Sequence, residues 1–113
     1  MGTDRIKGQT LRWTFDDGPT RGTTYEHVFG TDGTVEYHEV GATQSKRKPT
    51  AHARPHYELA EVRPDVYAVS YLSPQSGFTL TSVLDLDAGT VTAFASDAEH
   101  LFVQHGHFEV VKT

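Results

Sequence analysis

The stretch Thr24–Val40, TYEHVFGTDGTVEYHEV, decides how the rest of the chain is read. Two alternating runs flank Thr31-Asp32-Gly33, and a glycine in the last loop position accepts the left-handed backbone that closes a three-residue hairpin loop with a bulge. Such a loop pairs Gly30 with Thr34, and the register follows outward: Phe29 opposite Val35, His27 opposite Tyr37, Tyr25 opposite Glu39. Cross-strand partners share a face and neighbours along a strand alternate, so these six side chains lie on one side. Val28 with Glu36, Glu26 with His38, and Thr24 with Val40 take the other. One face is therefore aromatic with a few ionisable groups, which is how small-molecule pockets are usually lined.

Upstream of the hairpin, residues 1–7 read as a frayed lead-in, and Gln9 to Phe15 alternates as a first strand with Leu11, Trp13 and Phe15 on one face. Asp16-Asp17-Gly18-Pro19-Thr20 ends it as a turn. Downstream, Gly41 to Pro55 is polar, basic and without periodicity, the composition of a long loop or of a lid over a barrel mouth. Strand pattern resumes at His56–Val62, turns at Arg63-Pro64-Asp65, and continues as Val66–Leu72, then Phe78–Leu86 and Thr90–Ala95. The Asp87-Ala88-Gly89 turn leaves two registers open, Leu86 opposite Thr90 or Leu86 opposite Val91. Asp97–His100 reads as a single helical turn or an irregular link, and Leu101–Val103 with His107–Val111 as one or two closing strands.

No segment carries a helical apolar stripe of three turns. Short strands with turn signals every eight to twelve residues predict an all-β domain spanning residues 1–113. Consecutive hairpins with one long connection favour an up-and-down antiparallel barrel of about eight strands, whose closure removes exposed sheet edges. The length of 113 residues suits one such domain, and the 36% hydrophobic and 11% aromatic content is that of a globular chain. A net charge of -5 without a long basic stripe argues against nucleic-acid binding. The absence of cysteine removes disulfides and thiolate chemistry. No apolar run approaches membrane-spanning length and the start lacks the apolar core of a signal peptide, so a cytoplasmic location without membrane contact is expected.

Within this frame a few residues could carry chemistry. Glu39 opposite Tyr25 would become a proton donor or acceptor near neutrality if the aromatic interior enclosed it, and solvated if it stood at the rim. His27 opposite Tyr37 has a side chain suited to proton transfer, although a histidine on an aromatic face is more often a hydrogen-bonded core residue. Tyr67, Val69 and Tyr71 share a face; inward, their hydroxyls can orient a carboxylate, a phenol or an enolate, and outward they form a dimer patch. Trp13 serves as core or as a stacking wall. Lys46-Arg47-Lys48 and Arg54 are the one positive cluster, a solvated run or a lid whose Arg clamps an anionic ligand. Seven histidines invite a metal reading. His105-Gly106-His107 and His52 to His56 are the places to look, but no third ligand has a recognisable spacing, so no metal is expected. There is no Gly-rich phosphate loop and no nucleophile elbow, and no cofactor is implied.

The ordered pieces Gly8-x-x-x-x-Trp13-Thr14-Phe15-x-x-Gly18, Tyr25-Glu26, Asp32-Gly33-Thr34-Val35-Glu36-Tyr37, Gly41, Val66–Tyr71 followed by Pro74, and His105–Val110 resemble the calycin (lipocalin-like) group. Within it they are most similar to bacterial phenolic acid decarboxylases and the MoaF-like proteins related to them in fold. The resemblance implies a flattened eight-stranded barrel, often a homodimer, with a ligand cavity lined at Tyr25, Val35 and Tyr37. It does not carry the decarboxylase chemistry. The two first-strand tyrosines that hold the substrate carboxylate correspond to Trp13 and Phe15, the catalytic glutamate to Ser73, and the essential arginine to a position in the 41–55 loop where Arg47 and Arg54 both qualify. The expected function is binding of a small hydrophobic or aromatic anionic metabolite, with Trp13, Phe15, Val35, Tyr37, Arg47, Arg54 and Tyr71 as contacts. Three versions stand: a cofactor-free lyase or isomerase using Tyr25, His27 and Glu39, a carrier or sensor without chemistry, or a structural interaction domain whose cavity is filled by its own side chains.

Overall fold

The computed structural model describes residues 6–40, 55–73 and 77–111. Eight strands follow one another, β1 Thr10–Phe15, β2 Thr24–Phe29, β3 Val35–Glu39, β4 Tyr57–Arg63, β5 Val66–Leu72, β6 Thr79–Asp85, β7 Thr90–Ser96 and β8 Leu101–Val111. They form one antiparallel sheet in the order β3-β2-β1-β8-β7-β6-β5-β4. Pairing of β1 with β8 joins the two ends of the chain, so the sheet's edges fall at β3 and β4, either side of the long connection. The sheet curls until those edges meet at the bridge Thr34↔His56, where Val35 N–H donates to Pro55 O at 2.9 Å and Tyr57 N–H to Gly33 O at 3.0 Å. No helix is present among the described residues.

Alternation decides which side chains fill the curl. Leu11, Trp13 and Phe15 of β1 are all buried, as are Phe29, Val35, Tyr57, Tyr67, Val69, Tyr71, Leu84 and Val91 from the strands that follow. Ile6, within the lead-in expected to fray, is also fully buried, and Gln9 N–H donates to its carbonyl at 2.9 Å. The outer surface is stitched by polar cross-strand pairs. Thr14 and Thr24 hydroxyls lie 2.7 Å apart and Ser70 and Thr81 hydroxyls 2.8 Å apart, while Arg12 Nη2 reaches Glu26 at 3.0 Å. These half-exposed pairs fix alignment more than they add stability.

Two local expectations need correction. The β6–β7 connection adopts neither anticipated register: Asp85 pairs with Thr90 and Leu84 with Val91. The four-residue loop 86–89 is held by the Asp85 carboxylate, which accepts from the Asp87 and Ala88 amides, both at 3.0 Å. This choice buries Leu84 and Val91 together, which outweighs placing Leu86 opposite an apolar partner. The closing segment is a single strand of 11 residues, and Asp97–His100 is an irregular link in which the Asp97 carboxylate accepts from the Glu99 and His100 amides at 2.8 and 2.6 Å.

Gln104-His105-Gly106 reads as a break in the sequence, yet Gly106 is what lets β8 continue. It lies opposite Phe15 on β1 and Val91 on β7, and a Cβ there would overlap the Thr14 carbonyl oxygen and press on the Phe15 backbone. Gly106→Ala is therefore expected to lower stability by about 2–3 kcal/mol, because backbone cannot step aside as a flexible side chain can. A denaturant midpoint indistinguishable from that of the unmodified chain would contradict this close approach.

Candidate functional site

The central hairpin has the register its turn dictates: Tyr25↔Glu39, His27↔Tyr37 and Phe29↔Val35. Gly30 N–H donates to Thr34 O at 2.8 Å, and Gly33 sits at φ 89°. Asp32 completes the turn by accepting from Thr34 N–H at 3.0 Å and Thr34 Oγ1 at 2.7 Å. His27, Phe29 and Val35 are buried, Tyr25 and Tyr37 half-buried, and Val28, Glu36 and His38 exposed.

His27 is the centre of an inward-facing aromatic group. Its ring stacks on Trp13 from β1, centroids 4.0 Å apart and planes 23° apart. On its other flank lies Tyr37 at 5.2 Å and 13°. From across the curl, the Tyr71 hydroxyl of β5 meets His27 Nε2 at 2.9 Å. Nδ1 is buried and has no hydrogen-bond partner among the described residues. Loss of water, with the nearby His38 charge adding to it, lowers the His27 pKa to about 3, so the imidazole is neutral at physiological pH. Burial likewise pushes the Tyr71 phenol well above its usual value, with Tyr37 and Tyr25 as lesser causes. Two neutral groups thus share one hydrogen bond, and its direction sets the tautomer. If Tyr71 donates to Nε2, Nδ1 carries a buried N–H; if Nε2–H donates, Nδ1 is a bare acceptor and the Tyr71 O–H is free to point elsewhere.

Toward the end of the interior where β1 gives way to its loop, the lining becomes more polar. The Tyr37 hydroxyl lies 2.9 Å from buried Ser73 Oγ. Tyr25 has its pKa raised by burial and by the charge of Glu39, and is hydrogen-bonded to the Thr20 side chain; the Phe15 ring meets it edge-on at 6.1 Å. Thr20 also donates to the Gln104 carboxamide, N–H at 2.7 Å and Oγ1 at 2.8 Å from Oε1, and Gly18 rests directly on that side chain. The 16–23 loop is thereby folded over this end.

Of the residues singled out in the sequence, Trp13, Phe15, Tyr25, His27, Val35, Tyr37 and Tyr71 all fall within this connected interior set. Glu39 stands at the rim and is exposed, so the aromatic interior does not enclose it. Arg47 and Arg54 lie outside the described residues. Ser73, Thr20 and Gln104 were not singled out as contacts from the sequence. The last two become visible only when β8 is read as one strand, which puts Gln104 on the same face as Gly106 and Phe108. The groove of about 230 Å³ formed by Val28, Gly30, Thr31, Asp32, Thr34 and Glu36 is on the outer side of the hairpin and shares no residue with the interior set. Among the described residues no three His, Asp or Glu side chains converge as metal ligands.

The buried neutral imidazole has a measurable consequence. Between about pH 6.5 and about 3 the unfolded chain binds a proton at His27 that the folded chain refuses, so the stability tied to this group is complete above the upper value and drains away as pH falls through the window. A His27→Phe variant should show a shallower loss of melting temperature between about pH 7 and pH 5 than the unmodified chain. Nitrogen NMR at the lower pH should find the His27 ring uncharged; a protonated ring there would overturn the assignment.

Comparison with known proteins adds a fold and a family. A solved structure from Burkholderia vietnamiensis described as a "putative beta-lactamase" superposes with a TM-score of 0.73 at 19% identity, covering 95% of this chain and 96% of that one. At that identity the likeness speaks for the shared fold alone. No curated protein matches the chain. The MoaF N-terminal domain model matches residues 1–100, and with the single curled antiparallel sheet and its inward aromatic group in place, the chain belongs to the MoaF N-terminal domain family.

Proposed function

We propose that the protein binds a small hydrophobic or aromatic metabolite in the interior of its curled sheet, as a carrier or sensor and not as a catalyst. The observation that carries this reading is the buried His27–Tyr71 pair, whose Nδ1 has no partner among the described residues. A polar atom left unsatisfied in a core costs about 1–3 kcal/mol, and sites of recognition are where proteins retain such groups. The His27 ring is stacked on both Trp13 and Tyr37, so a ligand's place is beside them, toward Tyr25, Tyr37, Ser73 and Gln104, where hydroxyl and carboxamide groups can meet a ligand oxygen. Membership of the MoaF N-terminal domain family is compatible with small-molecule binding.

An anionic ligand is the favoured charge type, with Arg47 or Arg54 as counter-charge, since a guanidinium fork matches a carboxylate. The lyase or isomerase version has less support. A histidine with a pKa near 3 is a poor base at neutral pH, and Glu39 is exposed, outside the aromatic interior. A homodimer and a cytoplasmic setting remain part of the same proposal.

The single tryptophan, Trp13, gives the test its signal. Titration with aromatic carboxylates such as a benzoate or a cinnamate should change its fluorescence saturably, and native mass spectrometry of protein purified without stripping should show a retained small molecule. Tyr37→Phe with Ser73→Ala should weaken binding by about 10-fold, the value of one or two hydrogen bonds, with little change in melting temperature. Arg47→Ala with Arg54→Ala should weaken carboxylates much more than the matching neutral amides. No saturable signal and no retained mass would remove the binding reading. Turnover of the ligand that survives His27→Phe and Glu39→Gln would restore catalysis by other groups.

A further inference from the structure

Strand β8 is much longer than the strand it pairs with on one side. Its partner β1 covers only Gly106–Val111, whereas β7 accompanies it from Leu101 to His107. Beyond the end of β1 the edge is taken up for one more residue: Asp16 N–H donates to His105 O at 2.7 Å, and His105 N–H to Asp17 Oδ1 at 2.7 Å. On the other side, Phe108 N–H donates to Gly89 O, on the β7 side. In an antiparallel ladder successive residues turn their backbone groups to opposite sides. Odd-numbered residues of β8 therefore face the β1 side, and Leu101 and Val103 present N–H and C=O groups to an edge with no strand beside it among the described residues.

The side chains around that edge are apolar on both faces. Leu101 is 73% exposed and Val103 45%, and Phe94, which pairs with Val103, is 41% exposed. On the opposite face Phe102 stacks on Phe78 with centroids 6.1 Å apart. An exposed, apolar sheet edge without Lys, Pro or a bulge is a template for another strand.

We propose that this edge pairs antiparallel with the same edge of a second copy of the chain, across a two-fold axis at Phe102. The free backbone groups select that partner and that register. With Leu101 opposite the second copy's Val103, and the reverse, all four open N–H groups and carbonyls are used, and the ladder stops where the chain has already used its own. Sliding one way sets Leu101 against His105, whose amide and carbonyl are held by Asp17 and Asp16. Sliding the other way leaves Val103 facing the 97–100 turn, where the strand has ended and the Glu99 amide is already held by the Asp97 carboxylate at 2.8 Å. A two-fold contact requires such self-complementarity, and a strand of arbitrary sequence would not be held to this register. This pairing does not depend on what the interior binds.

The chain has no cysteine, so a single introduced one reports on the axis directly. Phe102→Cys places two thiols across a non-hydrogen-bonded pair, where Cα atoms approach to about 4.5 Å, within disulfide range. Mild oxidation should convert this variant to a covalent dimer, whereas Val110→Cys, exposed but paired with Leu11 on β1, should remain monomeric on denaturing gels. Sedimentation of the unmodified chain at about 100 μM should show a dimer, as a contact of this limited size requires concentrations of that order. Val103→Lys should sediment as a monomer with an unchanged melting curve. A monomeric unmodified chain, a dimer that survives Val103→Lys, or cross-linking of Phe102→Cys no faster than that of Val110→Cys would each overturn the proposal.

Discussion

The Asp32–Gly33 turn is the constraint on which the interior depends. Gly33 supplies a backbone conformation that costs an ordinary residue about 1–2 kcal/mol, and Asp32 spends one carboxylate oxygen on both the amide and the hydroxyl of Thr34. Together they leave one way of aligning β2 with β3. Side chains repeat every second residue, so a slip of one position would carry His27, Phe29, Val35 and Tyr37 to the outer surface and bring Glu26, Val28, Glu36 and His38 inward. Burying that second set would strand two carboxylates in an apolar core. The alignment is thus enforced from both ends, by the local geometry of three residues and by the cost of the alternative.

Placing an imidazole at the centre of that interior carries its own constraint. Burial by itself would disfavour any polar ring, and His27 is accommodated because its flat faces are met by Trp13 and Tyr37 and one nitrogen by the Tyr71 hydroxyl. Burial removes the hydration that a charged imidazole needs, with the His38 charge adding to it, which is why the ring remains uncharged well below neutral pH. The same desolvation that removes His27 as a base leaves it as a directional hydrogen-bonding group. A phenylalanine at the same point would pack as well and recognise nothing.

Most of this could be read from residue order. The hairpin register, the inward face of β1 and the Val66–Leu72 strand each follow from alternation between apolar and polar residues with a turn residue at a defined place. What escaped reading depended on contacts between segments far apart in the chain. Ile6 is anchored by packing that no local pattern encodes. The β6–β7 register is decided by the Asp85 carboxylate capping its own loop, a competitor to strand pairing that hydrophobic alternation does not reveal. Gly106 resembles a strand breaker until the Thr14 carbonyl is seen where its side chain would be. The position of Glu39 at the rim follows from where β3 ends, and end positions are what alternation specifies least.

The unequal lengths of β1 and β8 tie the interior to the outer edge. Had β1 continued alongside β8 as far as Val103, the edge would be covered, but the chain could not cross the end of the sheet. Instead it leaves at Phe15, and Gly18 and Gly22, both in the left-handed region at φ 85° and 82°, let it fold back so that Thr20 reaches Gln104 and Tyr25. Arg21 N–H to Gly18 O at 3.1 Å and Gly22 N–H to Phe15 O at 2.8 Å keep that path compact. Covering the mouth and exposing the Leu101–Val103 edge are therefore one structural decision. A chain that gives up β1–β8 ladder bonds to close its interior leaves an apolar edge that association can satisfy, and the His105–Asp17 contact marks the point at which one use of β8 gives way to the other.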